Sequence, residues 1–235
     1  IPDYKLNGLT FSGEVMLPST LKRIGAYAFA GQKDMYYVAM PEGLEAIGEH
    51  AFDGCETLEF DALPSTLTSI GDYAFQNCQT LTSVTLPEGL KELGEGAFRE
   101  AKNLQKAVLF SNVTELKDKT FEGCVALEKV YLPKLLTSIG NNCFFCNWAL
   151  SEISFPDSLE EIGDFAFMCG DWRVPLDSSG VCKVLEGYEP LSGSDKGLEK
   201  LNLNRVKKTG IGSFSGCPFS VVDLGAVLEE IGTSA

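Results

Sequence analysis

The chain has 235 residues, 44% of them hydrophobic, with 33 acidic against 19 basic side chains and a net charge of −14. A chain of this length can bury a substantial core, and so acidic a surface argues against nucleic acid or an anionic membrane as primary partner. No apolar run reaches the roughly 18 residues needed to span a bilayer, no secretory leader is visible, and the chain starts at Ile1 without a methionine, which reads as a processed or trimmed product.

Residues 1–11, with Tyr4, Leu6, Leu9 and Phe11, do not fit the pattern that follows and read as a cap. From residue 12 a strict beat begins. Ile24-Gly25 recurs as Ile47-Gly48, Ile70-Gly71, Leu93-Gly94, Leu116-Lys117, Ile139-Gly140 and Ile162-Gly163, each 23 residues after the last. Five positions beyond each pair's first residue stands Phe29, Phe52, Phe75, Phe98, Phe121, Phe144 or Phe167. A fixed period of this size is the signature of a stacked solenoid, which builds one continuous core, hence one domain.

The clearest copy is Leu81-x-x-Val84-x-Leu86-Pro87-x-x-Leu90-x-x-Leu93-Gly94-x-x-Ala97-Phe98. Val84 and Leu86 are two apart and share one face of an extended segment, with Ser83 and Thr85 on the other. The proline ends the strand because it has no N–H to offer. A short helix or 3₁₀ turn is then expected to carry the Ala-Phe pair back to the core, with Asp72 or Glu95 supplying N-terminal charge. The glycines read as turn residues. One coil cannot bury enough apolar surface to stand alone, so equivalent strands stack about 4.8 Å apart as a parallel sheet. The pattern through Leu63–Cys78 and Leu86–Phe98 resembles the BspA-like, or Treponema-type, leucine-rich repeat over residues 12–170 and again from Leu198. The resemblance implies an α/β right-handed solenoid, with a parallel sheet on one face and short helices or 3₁₀ turns on the other.

After Phe167 the beat is lost. Residues 171–197, with Trp172, Pro175, Cys182, Tyr188 and Pro190, form either a degenerate coil with Arg173–Asp177 as its strand or a protruding loop. Regular coils resume over 198–235 with Leu198-x-x-Leu201-x-Leu203, and the last, from Phe219 to Gly232, stops before its Ala-Phe pair.

Most conspicuous residues fall to packing. Cys55, Cys78, Cys124 and Cys217 each follow a repeat phenylalanine by three positions, a slot for a small buried side chain that Ala101 also fills. Cys143 of the Cys143-x-x-Cys146 pair replaces the alanine and should point inward; Cys169 and Cys182 flank the irregular segment and could be bridged. No catalytic, cofactor or metal constellation emerges. His50 and the acid pairs Glu160-Glu161 and Glu229-Glu230 occupy variable, solvent-facing positions. Candidate partner-binding residues lie on two outward columns: Glu14, Tyr37, Phe60, Ser83, Lys106, Lys129, Glu152, Lys200, and Met16, Ala39, Ala62, Thr85, Val108, Tyr131, Ser154, Asn202. Met16, Tyr37 and Phe60 form an apolar strip suited to an interface, although strand faces favour aromatics in any case. Lys106 and Lys129, adjacent in an acidic chain, either meet an anionic group or pair with Glu128 or Glu152. Tyr131, Trp172 and Tyr188 complete the set.

The expected function is a non-enzymatic scaffold that recognises a protein, a host or matrix protein for instance, and less readily a glycan, across the outer face of the sheet. The resemblance implies a secreted or cell-surface setting and a role in adhesion. The alternative is a structural spacer or assembly module of a longer surface protein.

Overall fold

The computed structural model describes residues 1–4, 9–169, 198, 200–217 and 219–234. The coils contribute strands to two parallel layers, one to each except in the coil of Leu58–Ile70, where the first layer has only an isolated bridge between Tyr37 and Glu59. The first layer holds β1 (Gly13–Met16), β3 (Met35–Ala39), β6 (Ser83–Thr85), β8 (Lys106–Val108), β10 (Lys129–Tyr131), β12 (Glu152–Ile153), β14 (Lys200–Asn202) and β16 (Val221–Asp223). The second holds β2 (Arg23–Ile24), β4 (Ala46–Ile47), β5 (Ser69–Ile70), β7 (Glu92–Leu93), β9 (Glu115–Leu116), β11 (Ser138–Ile139), β13 (Glu161–Ile162), β15 (Lys208–Thr209) and β17 (Glu230–Ile231). From β2 to β13 partners are one period apart, as in Val84↔Ala107 and Ile47↔Ile70, whereas Lys200↔Val221 and Lys208↔Glu230 near the C-terminus are closer in sequence.

Where short helices or 3₁₀ turns were expected, the described residues contain neither. The cause is a left-handed residue every four positions. His50 (φ 49°) and Gly54 (φ 70°), Tyr73 (φ 53°) and Asn77 (φ 57°), and Lys119 (φ 59°) and Gly123 (φ 72°) interrupt each arc before an i→i−4 ladder can begin. Alternate amides serve two ends instead. Within a coil, Gln76 N–H donates to the Tyr73 carbonyl; between coils, Tyr73, Phe75 and Asn77 N–H donate to Glu95, Ala97 and Arg99 carbonyls at 2.7–2.8 Å. Asp72 does not act as a helix charge either: its Oδ1 accepts the Glu95 N–H of the next coil at 2.8 Å.

Inside, Phe29, Phe52, Phe75, Phe98, Phe121, Phe144, Phe167 and Phe214 form one column of near-parallel rings with centroids 5.0–5.5 Å apart. Aromatic contacts of this kind add about 0.5–1.5 kcal/mol each beyond area burial. The cysteine slot does more than hold a small residue. Cys55, Cys78, Cys124 and Cys217 donate their S–H to the carbonyls of Phe29, Phe52, Phe98 and Phe167 at 3.0–3.3 Å. In the same slot Asn147 is fully buried, and neither its Nδ2 nor its Oδ1 has a partner.

The glycine column is set by close approach rather than by turn geometry. A Cβ on Gly71 would stand 2.5 Å from the Glu49 nitrogen and 2.7 Å from the Gly48 carbonyl carbon of the preceding coil. At Lys117, which takes the glycine's place, the described second layer breaks: β2-β4-β5-β7 and β9-β11-β13-β15-β17 are separate sheets. A side chain there is incompatible with the backbone separation that pairing requires.

Residues 1–4 cover the first coil, but in the repeat's own register. Ile1 carbonyl accepts Gly25 N–H at 2.7 Å, Asp3 Oδ1 accepts Ala26 N–H at 2.8 Å, and left-handed Tyr4 stacks on Tyr27 at 4.9 Å. At the other irregularity, β13 pairs directly with β15 (Glu161↔Lys208, Ile162↔Thr209), and Phe167 stacks on Phe214, 47 residues on. The degenerate-coil and loop readings of 171–197 concern residues outside those described.

Candidate functional site

Among the described side chains, alternation turns the outward columns away from the core as the strand pattern requires, with one exception. Asp61 occupies the slot that Val84 fills in its coil, and a carboxylate is not buried there without a partner. The strand shifts by one: Tyr37 bridges to Glu59, Asp61 turns outward, and Phe60 packs half-buried against the core, 5.5 Å from the Phe75 ring. Phe60, expected on the outward column, therefore turns toward the core. Tyr37 is half-buried and donates its hydroxyl to Asp61 Oδ2 at 2.7 Å, and this carboxylate holds the phenol above its ordinary pKa. Met16 stays 72% exposed, joined by Tyr36, which a register shift beside Gly13 pushes outward.

A second cluster lies in the C-terminal half of the same face. Lys106 and Lys129 are paired neighbours on β8 and β10, as their spacing predicts. Lys106 Nζ sits 5.5 Å from the Tyr131 ring centre, a cation–π distance. Phe110 meets the same ring edge-on at 6.0 Å. Tyr131 is 41% and Phe110 53% exposed. Four coil steps of about 4.8 Å put Tyr37 and Tyr131 roughly 19 Å apart, so they belong to two patches. Trp172 and Tyr188 lie outside the described residues.

Beside Tyr131 the first layer splits. β6-β8-β10-β12 forms one sheet and β14-β16 another, with no ladder joining β12 to β14 among the described residues. The second layer remains paired at the same step, and Lys207 holds Glu160 at 2.9 Å across it. The split opens a groove of about 730 Å³ lined by Phe110, Tyr131, Lys134, Ile153, Phe155 and Lys200 among others. Ile153 and Phe155 sit in slots that are fully buried as Val84 and Leu86, yet both are half-buried here. Phe110 and Lys134 were not among the sequence candidates. The signal for Phe110 was present: it replaces the strand-ending proline found at Pro18, Pro41, Pro64, Pro87, Pro133 and Pro156.

Comparison with known proteins decides the family. The BspA type leucine rich repeat region matches residues 1–124 and 56–171, with six copies. The chain belongs to the BspA-type leucine-rich repeat family. A leucine-rich repeat protein from Bacteroides ovatus ATCC 8483 is similar to this BspA-type chain at 25% identity and TM-score 0.64, over 94% of this chain and 74% of that one. One from Eubacterium ventriosum ATCC 27560 shares the fold at 15% identity and TM-score 0.55, over 71% of this chain and 60% of the other. A T. pallidum leucine rich repeat protein aligns at 29% identity and TM-score 0.47, over 59% and 78%. No curated protein matches the chain.

Other titratable groups of this BspA-type chain have structural partners. His50, expected on solvent, is stacked between Tyr27 (4.6 Å) and Tyr73 (5.0 Å), and its Nδ1 lies 2.7 Å from Asp53 Oδ2. Glu160 and Glu230 pair with Lys207 and Lys208. Burial pushes the Cys55 thiol up to about 12 and raises Cys78, Cys124 and Cys143 as well. Cys143 points inward as its slot requires. Among the described residues the neighbour of Cys169 is Cys217, and a hydrogen bond between the two thiols lowers the pKa of Cys169 and raises that of Cys217; Cys182, with which Cys169 could be bridged, lies outside the described residues. Among the described residues, no cluster of three or more His, Cys, Asp and Glu could hold a metal ion, and no helix is long and apolar enough to cross a membrane.

Proposed function

We propose that this BspA-type solenoid is a non-enzymatic scaffold that recognises a partner protein through the outer face of its first strand layer, as part of a secreted or cell-surface adhesion protein. The observation that carries the reading is the Lys106–Tyr131–Phe110 cluster. Aromatic side chains with a cation beside them are the residue types enriched where interface energy concentrates, and this cluster is exposed on a rigid, paired sheet. Surface placement rests on the family resemblance. The test is capture of surface and matrix proteins by wild type and by Phe110→Ala/Tyr131→Ala. The variant is expected to lose a partner the wild type retains; equal recovery of every partner would sink the assignment.

A second reading is a spacer or assembly module of a longer surface protein; replacing residues of the sheet face would then leave assembly unchanged.

A further inference from the structure

We infer that the groove beside Tyr131 takes an extended peptide segment bearing acidic side chains, which pairs with the edge of β12 that has no partner strand among the described residues. This rests on the recognition reading above and specifies its site and partner chemistry.

Three observations on described residues converge. The first is the open ladder: β12 pairs with β10 on one side only, and β14 with β16 on one side only. Unpaired strand edges are templates for an added strand, and the main chain of an extended peptide supplies the missing hydrogen bonds. The second is side-chain spacing. Ile153 and Phe155, two apart and half-buried, form an apolar floor continuous with Leu198, and alternate side chains of an extended peptide fall on one face at matching intervals. The third is charge. Among its described lining residues the groove carries Lys134 and Lys200 and no carboxylate, and the adjoining cavity that shares Ile153, Phe155 and Lys200 adds Arg205 against Asp157, in a chain of net charge −14. Lys106, Lys134 and Lys200 meet no carboxylate within 4 Å among the described residues, whereas Lys22, Lys33, Lys119, Lys207 and Lys208 are each paired with a glutamate. Charges this close to a bound peptide outweigh the distant acidic surface, because the Debye length is only about 8 Å at physiological ionic strength.

A helical partner fits less well: the groove lies along a strand edge and offers backbone groups that a helix, its own amides satisfied, cannot use. A nucleic-acid strand would supply negative charge but faces the field of the whole chain.

The test selects phage-displayed random short peptides on the immobilised protein, then titrates synthetic copies of the enriched sequences by fluorescence anisotropy. Enrichment of acidic residues alternating with apolar ones is expected, with affinity falling about tenfold on Lys134→Glu/Lys200→Glu and falling further as salt is raised. Absence of enrichment, enrichment without acidic bias, or indifference to Lys134→Glu/Lys200→Glu would overturn the inference. A photoreactive residue at position 131 of the peptide-free protein covers the other occupants. A crosslink into residues 170–197, or between two copies, would assign the groove to the chain itself and overturn the peptide. If Phe110→Ala/Tyr131→Ala loses a partner that Lys134→Glu/Lys200→Glu keeps, the recognition reading stands and the acidic-peptide inference fails.

Discussion

Replacing Gly71 by alanine tests whether coil-to-coil contact depends on an uninterrupted glycine column. The added Cβ would lie 2.5 Å from the Glu49 nitrogen and 2.7 Å from the Gly48 carbonyl carbon. Both are main-chain atoms, so the strain cannot be relieved by a rotamer change. Forcing an extra methyl into such a contact costs about 1–3 kcal/mol. The two hydrogen bonds nearest the clash are Gly71 N–H to the Ile47 carbonyl and His50 N–H to the Asp72 carbonyl, both 2.8 Å. Lengthening them loses about 0.5–1.5 kcal/mol each. The φ of Gly71 lies outside the left-handed region, so alanine adopts it freely and returns about 0.4–1 kcal/mol by restricting the unfolded chain. The net expectation is a loss of about 1–6 kcal/mol in equilibrium urea denaturation, with faster amide exchange at Gly71 and His50. The converse change, Lys117→Gly, removes the side chain that stands where β7 and β9 fail to pair and is expected to gain about 1 kcal/mol as new inter-coil hydrogen bonds form. Stability within about 0.5 kcal/mol of wild type for Gly71→Ala would refute the close-approach account.

Asn147→Cys puts an S–H donor where two polar atoms are buried without partners, and is expected to raise stability by about 1–3 kcal/mol in the same assay. The four buried thiols make stability pH-dependent. Burial raises their pKa above the unfolded value of about 8.5, so their contribution is complete below that pH and is lost as pH rises toward about 12, the value for Cys55. Replacing Cys55, Cys78, Cys124 and Cys143 by alanine should flatten the alkaline limb of the profile. With a thiol alkylating reagent at neutral pH, Cys169, partly exposed and lowered in pKa by Cys217, should react before those four; mass spectrometry that finds Cys55 or Cys124 modified first would contradict this.

The period was legible because a solenoid repeats its core slots in space as in sequence, so the phenylalanine column, the inward Ala-Phe pairs and the cysteine slot follow from register alone. The helical arcs did not follow. Gly54, Asn77, Gly123 and Asn142 in left-handed slots carried the contrary signal, but tyrosine and lysine at Tyr73 and Lys119 masked it, since they adopt that conformation only when stacking and inter-coil bonds compensate. Phe60 was misplaced because template spacing outweighed the local fact that Asp61 cannot fill an apolar slot. The register of Ile1–Tyr4 could have been counted back from Ile24. The split between β12 and β14 has no local sequence marker; it arises from how two coils meet across a connection longer than one period, and is visible only in three dimensions. The candidate site was thus half readable: Lys106, Lys129 and Tyr131 from alternation, but the groove they border only from packing.

The central claim, recognition through the first strand layer at its C-terminal half, is tested most directly by hydrogen–deuterium exchange on the complex with a partner recovered by capture. Protection is predicted over 106–110, 129–134 and 153–156, with the turn-side column of Tyr27, His50 and Tyr73 unchanged. Protection confined to that turn-side column, with the Phe110–Tyr131 face exchanging as in the free protein, would contradict it.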